Sequence, residues 1–354
     1  MFFYLFPYLF LLFVSLNLFF SRLQKIKPWH LFFMVMPAFF VFFLRGNVGT
    51  DSFFYLGLFE DYSLYGESKS KFEPGFEYLG KFMMALGIPP RFGVAMVGAI
   101  TTFILCYSFS KSKNQMAIFA LLLFPLFFYD FTMNGIRYGL SFSVATLAID
   151  CLYRKKYWQF SIWSIIAFSI QYSAVLVLMP FVSALIRKKY LLGIGILLLG
   201  SFIIFPEYFT FITDRISGKR EAYSEIYAPG VTSGLAPLLV VLAMYLNFIW
   251  FHRKENYSKL IHMIFIFELL SFIMAKFTYA GLRFQGAFMF AMLIFLKNNT
   301  ENIPFVRKYT FNLILISFFS IAIFLKNITT VVQGELTPYL PYKFYWEEQN
   351  PYSL

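Results

Sequence analysis

The sequence predicts an all-α, polytopic integral membrane protein of about twelve transmembrane helices, whose external loops form an outer-face cavity. Three observations predict it. Hydrophobic residues make up 59% of the 354 and aromatic residues 23%, against 14% charged. With a mean hydropathy of +0.67, this composition lies outside the soluble globular range. Apolar runs approach the length that crosses a bilayer, about 17–25 residues, and they alternate with short basic breaks. Arginines stand at the mouths of several runs, although a charge at membrane depth costs roughly 2.5–3.5 kcal/mol or more. No long polar segment could build a soluble module, so a single integral domain, 1–354, is expected.

The runs read, in order, as spans near 1–20, 29–44, 92–109, 116–130, 138–153, 159–171, 173–186, 191–206, 236–251, 260–275, 284–296 and 309–325. The first lacks a basic leading region and a small-residue cleavage site, so it reads as a span and not a cleaved signal. The short pair 159–171 and 173–186 reads as one broken element. Gly75 to Leu86 is half apolar and carries Glu77 and Lys81, as an interfacial or re-entrant helix would. Cys106 and Cys151 fall inside or at the end of apolar runs and act as buried hydrophobes, with no disulfide framework or metal cluster.

Lys and Arg set the orientation. One set of alternate loops is short and basic throughout: Arg22 to Lys27, Lys111 and Lys113, Arg154 to Lys156, Arg187 to Lys189, Arg253 to Lys259, and Lys297 to Lys308. These are expected to be cytoplasmic. Both termini, the loops 45–91 and 207–235, and the tail 326–354 are then external. The formal charge of +12 is dispersed over these loops, which excludes a nucleic-acid surface.

Four external segments carry candidate chemistry. In Arg45-Gly46-Asn47-Val48-Gly49-Thr50-Asp51, two glycines allow a turn that brings Arg45 and Asp51 into one cleft. The plainer alternative is a capped span end with a snorkelling arginine. In Phe72-Glu73-Pro74-Gly75-Phe76-Glu77, Glu73 either caps a helix, since an acid suits a helix N-terminus, or serves as a general base near the bilayer. No tight turn fixes a basic residue beside it. In Asn134-Gly135-Ile136-Arg137-Tyr138-Gly139, Arg137 opens a span where its charge opposes the helix dipole, which favours an anionic ligand there. Lys276 to Arg283 repeats the arrangement, with Tyr279 adding a hydroxyl and a ring; an interfacial anchor is the alternative. Three arginines at one face suggest a site for an anionic, lipid-linked substrate. Glu268, deep in its run, needs a partner or a proton. The 207–235 loop, with Tyr208, Tyr223 and Tyr227, is a solvated loop or a cover for the outer cavity.

There is no phosphate-binding loop, dinucleotide glycine fingerprint, His-Glu-x-x-His or Gly-x-Ser-x-Gly elbow. His30, His252 and His262 all fall toward the cytoplasmic half.

The pattern Arg45…Val48-Gly49-Thr50-Asp51…Tyr55, Glu73-Pro-Gly-Phe76 and Asn134-Gly-Ile-Arg137-Tyr-Gly139 resembles the EpsG-type, Wzy-like polysaccharide polymerases of bacteria. The likeness is densest over 45–180 and continues to Arg283 and the tail Pro338 to Tyr345. Where the family has Arg-Gln-Gly this chain has Arg137-Tyr138-Gly139, and where a histidine often precedes Ser-Ala it has Tyr172 before Ser173-Ala174. The resemblance implies a metal-independent glycosyltransferase of the bacterial inner membrane with no cofactor. It would join repeat units carried on undecaprenyl diphosphate at the outer face, for O-antigen, capsule or exopolysaccharide. A chain-length regulator and a flippase are the protein partners it implies. Arg45, Arg137 and Arg283 would hold the diphosphate, with Tyr279 beside them; Glu73 is the favoured base, and Asp51 orients Arg45 or a sugar hydroxyl.

A flippase or transporter of lipid-linked glycans is the main alternative, but it would carry charges along its whole path, and here they gather at one face. A membrane acyltransferase would want a suitably placed histidine. A non-enzymatic assembly partner would tolerate loss of any one arginine or carboxylate. Topology is the expectation most directly checked: reporters fused after Lys189 and after Gly230 should read inside and outside respectively, and matching signals would overturn the orientation.

Overall fold

The structure is a computed structural model that describes residues 1–20, 27–49, 51–68, 72–185, 230, 232–251, 259–300, 307–329 and 339–347. Its elements are helices: α1 (Phe2–Phe20), α2 (Pro28–Phe43), α3 (Ser52–Tyr65), α4 (Pro74–Ala85), α5 (Pro90–Phe109), α6 (Lys113–Ile118), α7 (Ile136–Tyr153), α8 (Tyr157–Ile170), α9 (Ala174–Leu185), α10 (Leu235–Phe251), α11 (Lys259–Met274), α12 (Tyr279–Asn299) and α13 (Arg307–Thr329). No strand occurs among the described residues. The all-α membrane class is therefore observed. By length and apolarity α5, α12 and residues 312–329 of α13 can cross a membrane; α1, α2, α9 and α10 are apolar but shorter. The run 191–206 and the 207–235 loop up to residue 229 lie outside the described residues.

Contacts divide the chain into two compact units, Met1–Val175 with Leu293–Leu354, and Leu176–Met292. In the first, α7 packs along α8 and α5, α5 also packs on α2, and α13 packs on the segment after α6. That segment, Phe119–Phe128 and Asp130–Asn134, is wound as a wide π-type helix. Pro125 sits inside it and cannot donate a backbone hydrogen bond. Every residue from Phe119 to Phe128 is buried, so this is the central strut of the unit.

Local chemistry sets the helix ends. Pro28, Pro74 and Pro90 occupy first turns, where their missing N–H costs nothing. The Ser112 side chain accepts the Gln115 N–H and caps α6. The expected broken pair is real: α8 ends at Ile170, Gln171 is extended, and α9 restarts at Ala174. The interfacial segment 75–86 forms α4. Helix α3 was not anticipated, because Glu60, Asp61 and the glycines flanking it suggest a loop; its buried face of Tyr55, Leu58, Phe59 and Tyr62 against α4 and α5 explains why it forms.

One end of the first unit is closed by a buried ion cluster. Asp150, near the end of α7, contacts the fully buried Lys297 ammonium of α12 and lies 2.6 Å from Lys111 Nζ. Ser108 Oγ takes a 2.5 Å hydrogen bond from Lys297 and donates one of 3.2 Å to Asp150. Asn114 Nδ2 and Gln115 Nε2 donate to the Thr300 and Lys297 carbonyls, supplying partners that the end of α12 otherwise lacks. Lys111 and Lys297, expected only as orienting loop charges, thus tie α5, α7 and α12 together. Asp150→Ala strands two lysines, so unfolding in mild detergent should show a loss of about 3–5 kcal/mol, the usual effect of removing one member of a buried pair. An unchanged midpoint would show that the cluster adds nothing.

Candidate functional site

The Arg45 loop is built around a buried guanidinium. Arg45 is 6% exposed, and its Nη1 donates to the carbonyls of Val48, at 2.8 Å, and Met133, at 2.5 Å. Ser52 Oγ, at the start of α3, donates to the same two carbonyls at 2.7 and 3.3 Å. The loop is thereby folded onto the end of the π-type segment. Gly49 makes this possible: its φ of +116° is closed to ordinary residues, and a Cβ would lie 2.7 Å from both Asn134 Oδ1 and Ser52 Oγ. Burial lowers the Arg45 pKa to about 10, which leaves it a cation at neutral pH.

The C-terminal segment straps across this loop. Gly46 N–H donates to Lys343 O at 2.7 Å and Tyr345 N–H to Leu44 O at 3.1 Å, which sets Arg45 opposite Phe344 in a single antiparallel bridge. Tyr4 Oη donates to Tyr339 O at 2.8 Å, and Asn134 Nδ2 donates to Tyr339 Oη. Arg91 Nη2 donates to the Arg45 carbonyl, and its guanidinium lies 5.0 Å from the Tyr345 ring centroid. A shallow open cleft is lined by Arg45, Asn47, Ser52, Leu56 and Arg91 among others.

A second constellation sits one helical turn along α3. Arg137 Nη1 and Glu73 Oε2 are 2.6 Å apart, and Arg137 Nε faces Tyr55 Oη at 3.4 Å. The guanidinium lies 4.2 Å from the Phe72 ring centroid and 5.9 Å from that of Phe76, within cation–π range. Both charged side chains are largely covered, 19% and 13% exposed. Glu73 Oε1 accepts the Tyr172 N–H at 3.5 Å, from the break between α8 and α9. Gly75 allows that approach, since a Cβ there would meet Ser169 Oγ of α8 at 2.4 Å. Glu73 starts α4 but makes no capping bond to it. Its side chain is spent on Arg137 and Tyr172.

Ser52 and Tyr55, three apart on the buried face of α3, serve Arg45's carbonyl partners and Arg137 respectively. The helix rise of about 1.5 Å per residue puts them roughly 4.5 Å apart along its axis. The two expected arginines Arg45 and Arg137, with Glu73, are therefore neighbours in the first unit. Asp51 sits exposed at the N-terminal edge of α3, where the helix dipole favours an acid. Arg283 and Tyr279 belong to the second unit, on the first turns of α12, with the guanidinium 5.1 Å from the tyrosine ring centroid. Arg91 was missed, although it opens α5 after Pro89-Pro90 much as Arg137 opens α7. The same signal of an arginine at an unfavourable helix start marks it. Tyr172, where the resemblance expects histidine, is delivered beside Glu73. Among the described residues no cluster of His, Cys, Asp and Glu could hold a metal ion.

The EpsG family model matches residues 28–344, and the chain belongs to that family. The match spans both constellations and the strap up to Phe344. No curated protein and no solved structure matches.

The buried turn has a sharp consequence. Gly49→Ala combines a disallowed φ with contacts under 3 Å, and should lower unfolding free energy by about 1–3 kcal/mol. Gly87→Ala, at φ +74° with open space around it, should cost less. Equal melting shifts for the two variants would show that the Asn134–Ser52–Arg45 packing is loose.

Proposed function

We propose that this EpsG-family chain is a membrane glycosyltransferase that polymerises undecaprenyl-diphosphate-linked oligosaccharide repeat units. It would act at the outer face of the bacterial inner membrane, with about twelve spans, both termini external and the external loops enclosing the site. The observation that carries this is the pairing of Glu73 with Arg137 on a bed of Phe72 and Phe76, in two motifs far apart in sequence that the family resemblance also marks.

The reaction joins an acceptor sugar hydroxyl to the anomeric carbon of the growing glycan. The new C–O bond forms as the bond from that carbon to the diphosphate oxygen breaks, and undecaprenyl diphosphate leaves with the electron pair. The hydroxyl proton passes to a carboxylate. Glu73 is the base in this scheme. Arg137 orients it through Nη1 and is itself held through Nε by Tyr55, which leaves Nη2 to meet an anion. Arg45 and Arg91 line the adjoining cleft and supply positive charge for the departing diphosphate, so the leaving group is stabilised by guanidinium groups. Arg283 and Tyr279 belong to the second unit and carry no step of this scheme. Asp51, at the edge of α3, orients a sugar hydroxyl.

Positioned base catalysis contributes on the order of 10²–10⁴ in rate. Glu73→Gln should therefore nearly abolish chain extension by purified protein while lipid-linked donor still binds. Arg137→Lys keeps the charge but loses the flat guanidinium that stacks on Phe72, and should also impair extension. Near-normal turnover in Glu73→Gln would pass the base role to Asp51. In a deletion strain, the surface glycan should carry one repeat unit; a surface with none would point to a flippase.

A further inference from the structure

We infer that Glu268 is a proton-binding site inside the membrane, held as a neutral acid in a cyclic pair with the amide of Gln285. Glu268, in the latter half of α11, is fully buried. Gln285, on α12, is also fully buried. Gln285 Nε2 donates at 2.9 Å to the Gly234 carbonyl, which precedes α10, and at 2.8 Å to Glu268 Oε1. Both amide hydrogens are then used. The Gly234 carbonyl fixes which way round the amide sits, because turning it would set two oxygens against each other.

Two oxygens remain buried with no partner, Glu268 Oε2 and Gln285 Oε1. Neither can donate while Glu268 is ionised. A single proton on Oε2 changes that: the acid O–H donates to Gln285 Oε1 while the amide N–H donates back to Oε1 of the acid. One proton thus satisfies both orphans, whereas a carboxylate would leave two buried acceptors and an uncompensated charge. Each unsatisfied group is destabilising, and the uncompensated charge more so.

Among the described residues no ion pair is made to Glu268. Among the described residues, Gln285 is the one polar partner of Glu268. The charged and titratable groups on the elements around it are engaged elsewhere. Lys276, just past the end of α11, donates to Ser233 O at 2.7 Å, beside the Gly234 carbonyl. Arg283 lies over Tyr279. His262 of α11 bonds Tyr245 of α10 at 2.7 Å, toward the other end of α11. The proton therefore closes the pair between α11 and α12, while the Gln285 amide also reaches the Gly234 carbonyl before α10.

The test uses the purified full-length protein in lipid nanodiscs at neutral pH. The infrared difference between wild type and Glu268→Gln should contain a protonated-carboxyl band, and dicyclohexylcarbodiimide should form an adduct on Glu268, located by mass spectrometry. Glu268→Gln carries an amide donor where the acid O–H was, so its melting midpoint should match wild type. Glu268→Ala and Gln285→Leu should both melt lower. A carboxylate band in place of the acid band, no adduct on Glu268, or a Glu268→Gln midpoint as low as that of Glu268→Ala would each overturn the proton site.

Discussion

The candidate site hangs on a buried guanidinium at the end of α2. A charge with 6% exposure is costly to bury, and it is tolerated here because its Nη1 donates to two backbone carbonyls. By taking the carbonyls of Val48 and Met133 together, Arg45 joins the loop after α2 to the end of the π-type segment. Everything near it is referred to that joint. Ser52 and so α3 begin on the same carbonyls, Arg91 binds the Arg45 carbonyl, and the strap pairs with the residues on either side. Helix α3 then carries the register one turn further, to Tyr55 and Arg137.

That chain of contacts holds a carboxylate and an arginine together in one geometry. An isolated exposed pair would contribute little, about 0–1 kcal/mol. Arg137 and Glu73 are mostly shielded, and each is fixed from behind: the arginine by Tyr55 and two phenylalanine rings, the glutamate by the Tyr172 N–H. Such supports hold both groups in one geometry before any ligand arrives, which is what a positioned base and an anion contact require.

The sequence made the helical class, the interfacial helix α4 and the break between α8 and α9 legible, because apolar runs and their interruptions are local signals. It also marked Arg45 and Arg137 through their cost at a span mouth, and Glu73 at the start of an interfacial helix. What it hid is tertiary. A reading by turn geometry paired Arg45 with Asp51, whereas the buried guanidinium went to carbonyls, one of them 88 residues away. The same reading found no basic neighbour for Glu73, because Arg137 comes from 64 residues downstream. Helix α3 was masked by its acids, which sit among a buried aromatic face that only α4 and α5 complete. The strap shows no period at all, and its backbone pairing with residues 44–46 has no counterpart in local sequence.

Two buried acids show how differently the same fold can treat a carboxyl group. Asp150 is met by two lysines and a serine hydroxyl, a set that stabilises the charged form and ties three helices by ion pairing. Among the described residues Glu268 meets one amide, and its second carboxyl oxygen has no partner. An ionised group there would carry its full desolvation penalty with nothing opposite it. The distinction follows from where each residue lies. Asp150 stands at a helix end, within reach of lysines that extend from neighbouring helix ends. Glu268 stands well inside α11, whose adjacent turns offer it phenylalanine, leucine, isoleucine and a serine but no cation. A proton is the counter-charge that needs no side chain to carry it, and that is why the deeper acid takes one.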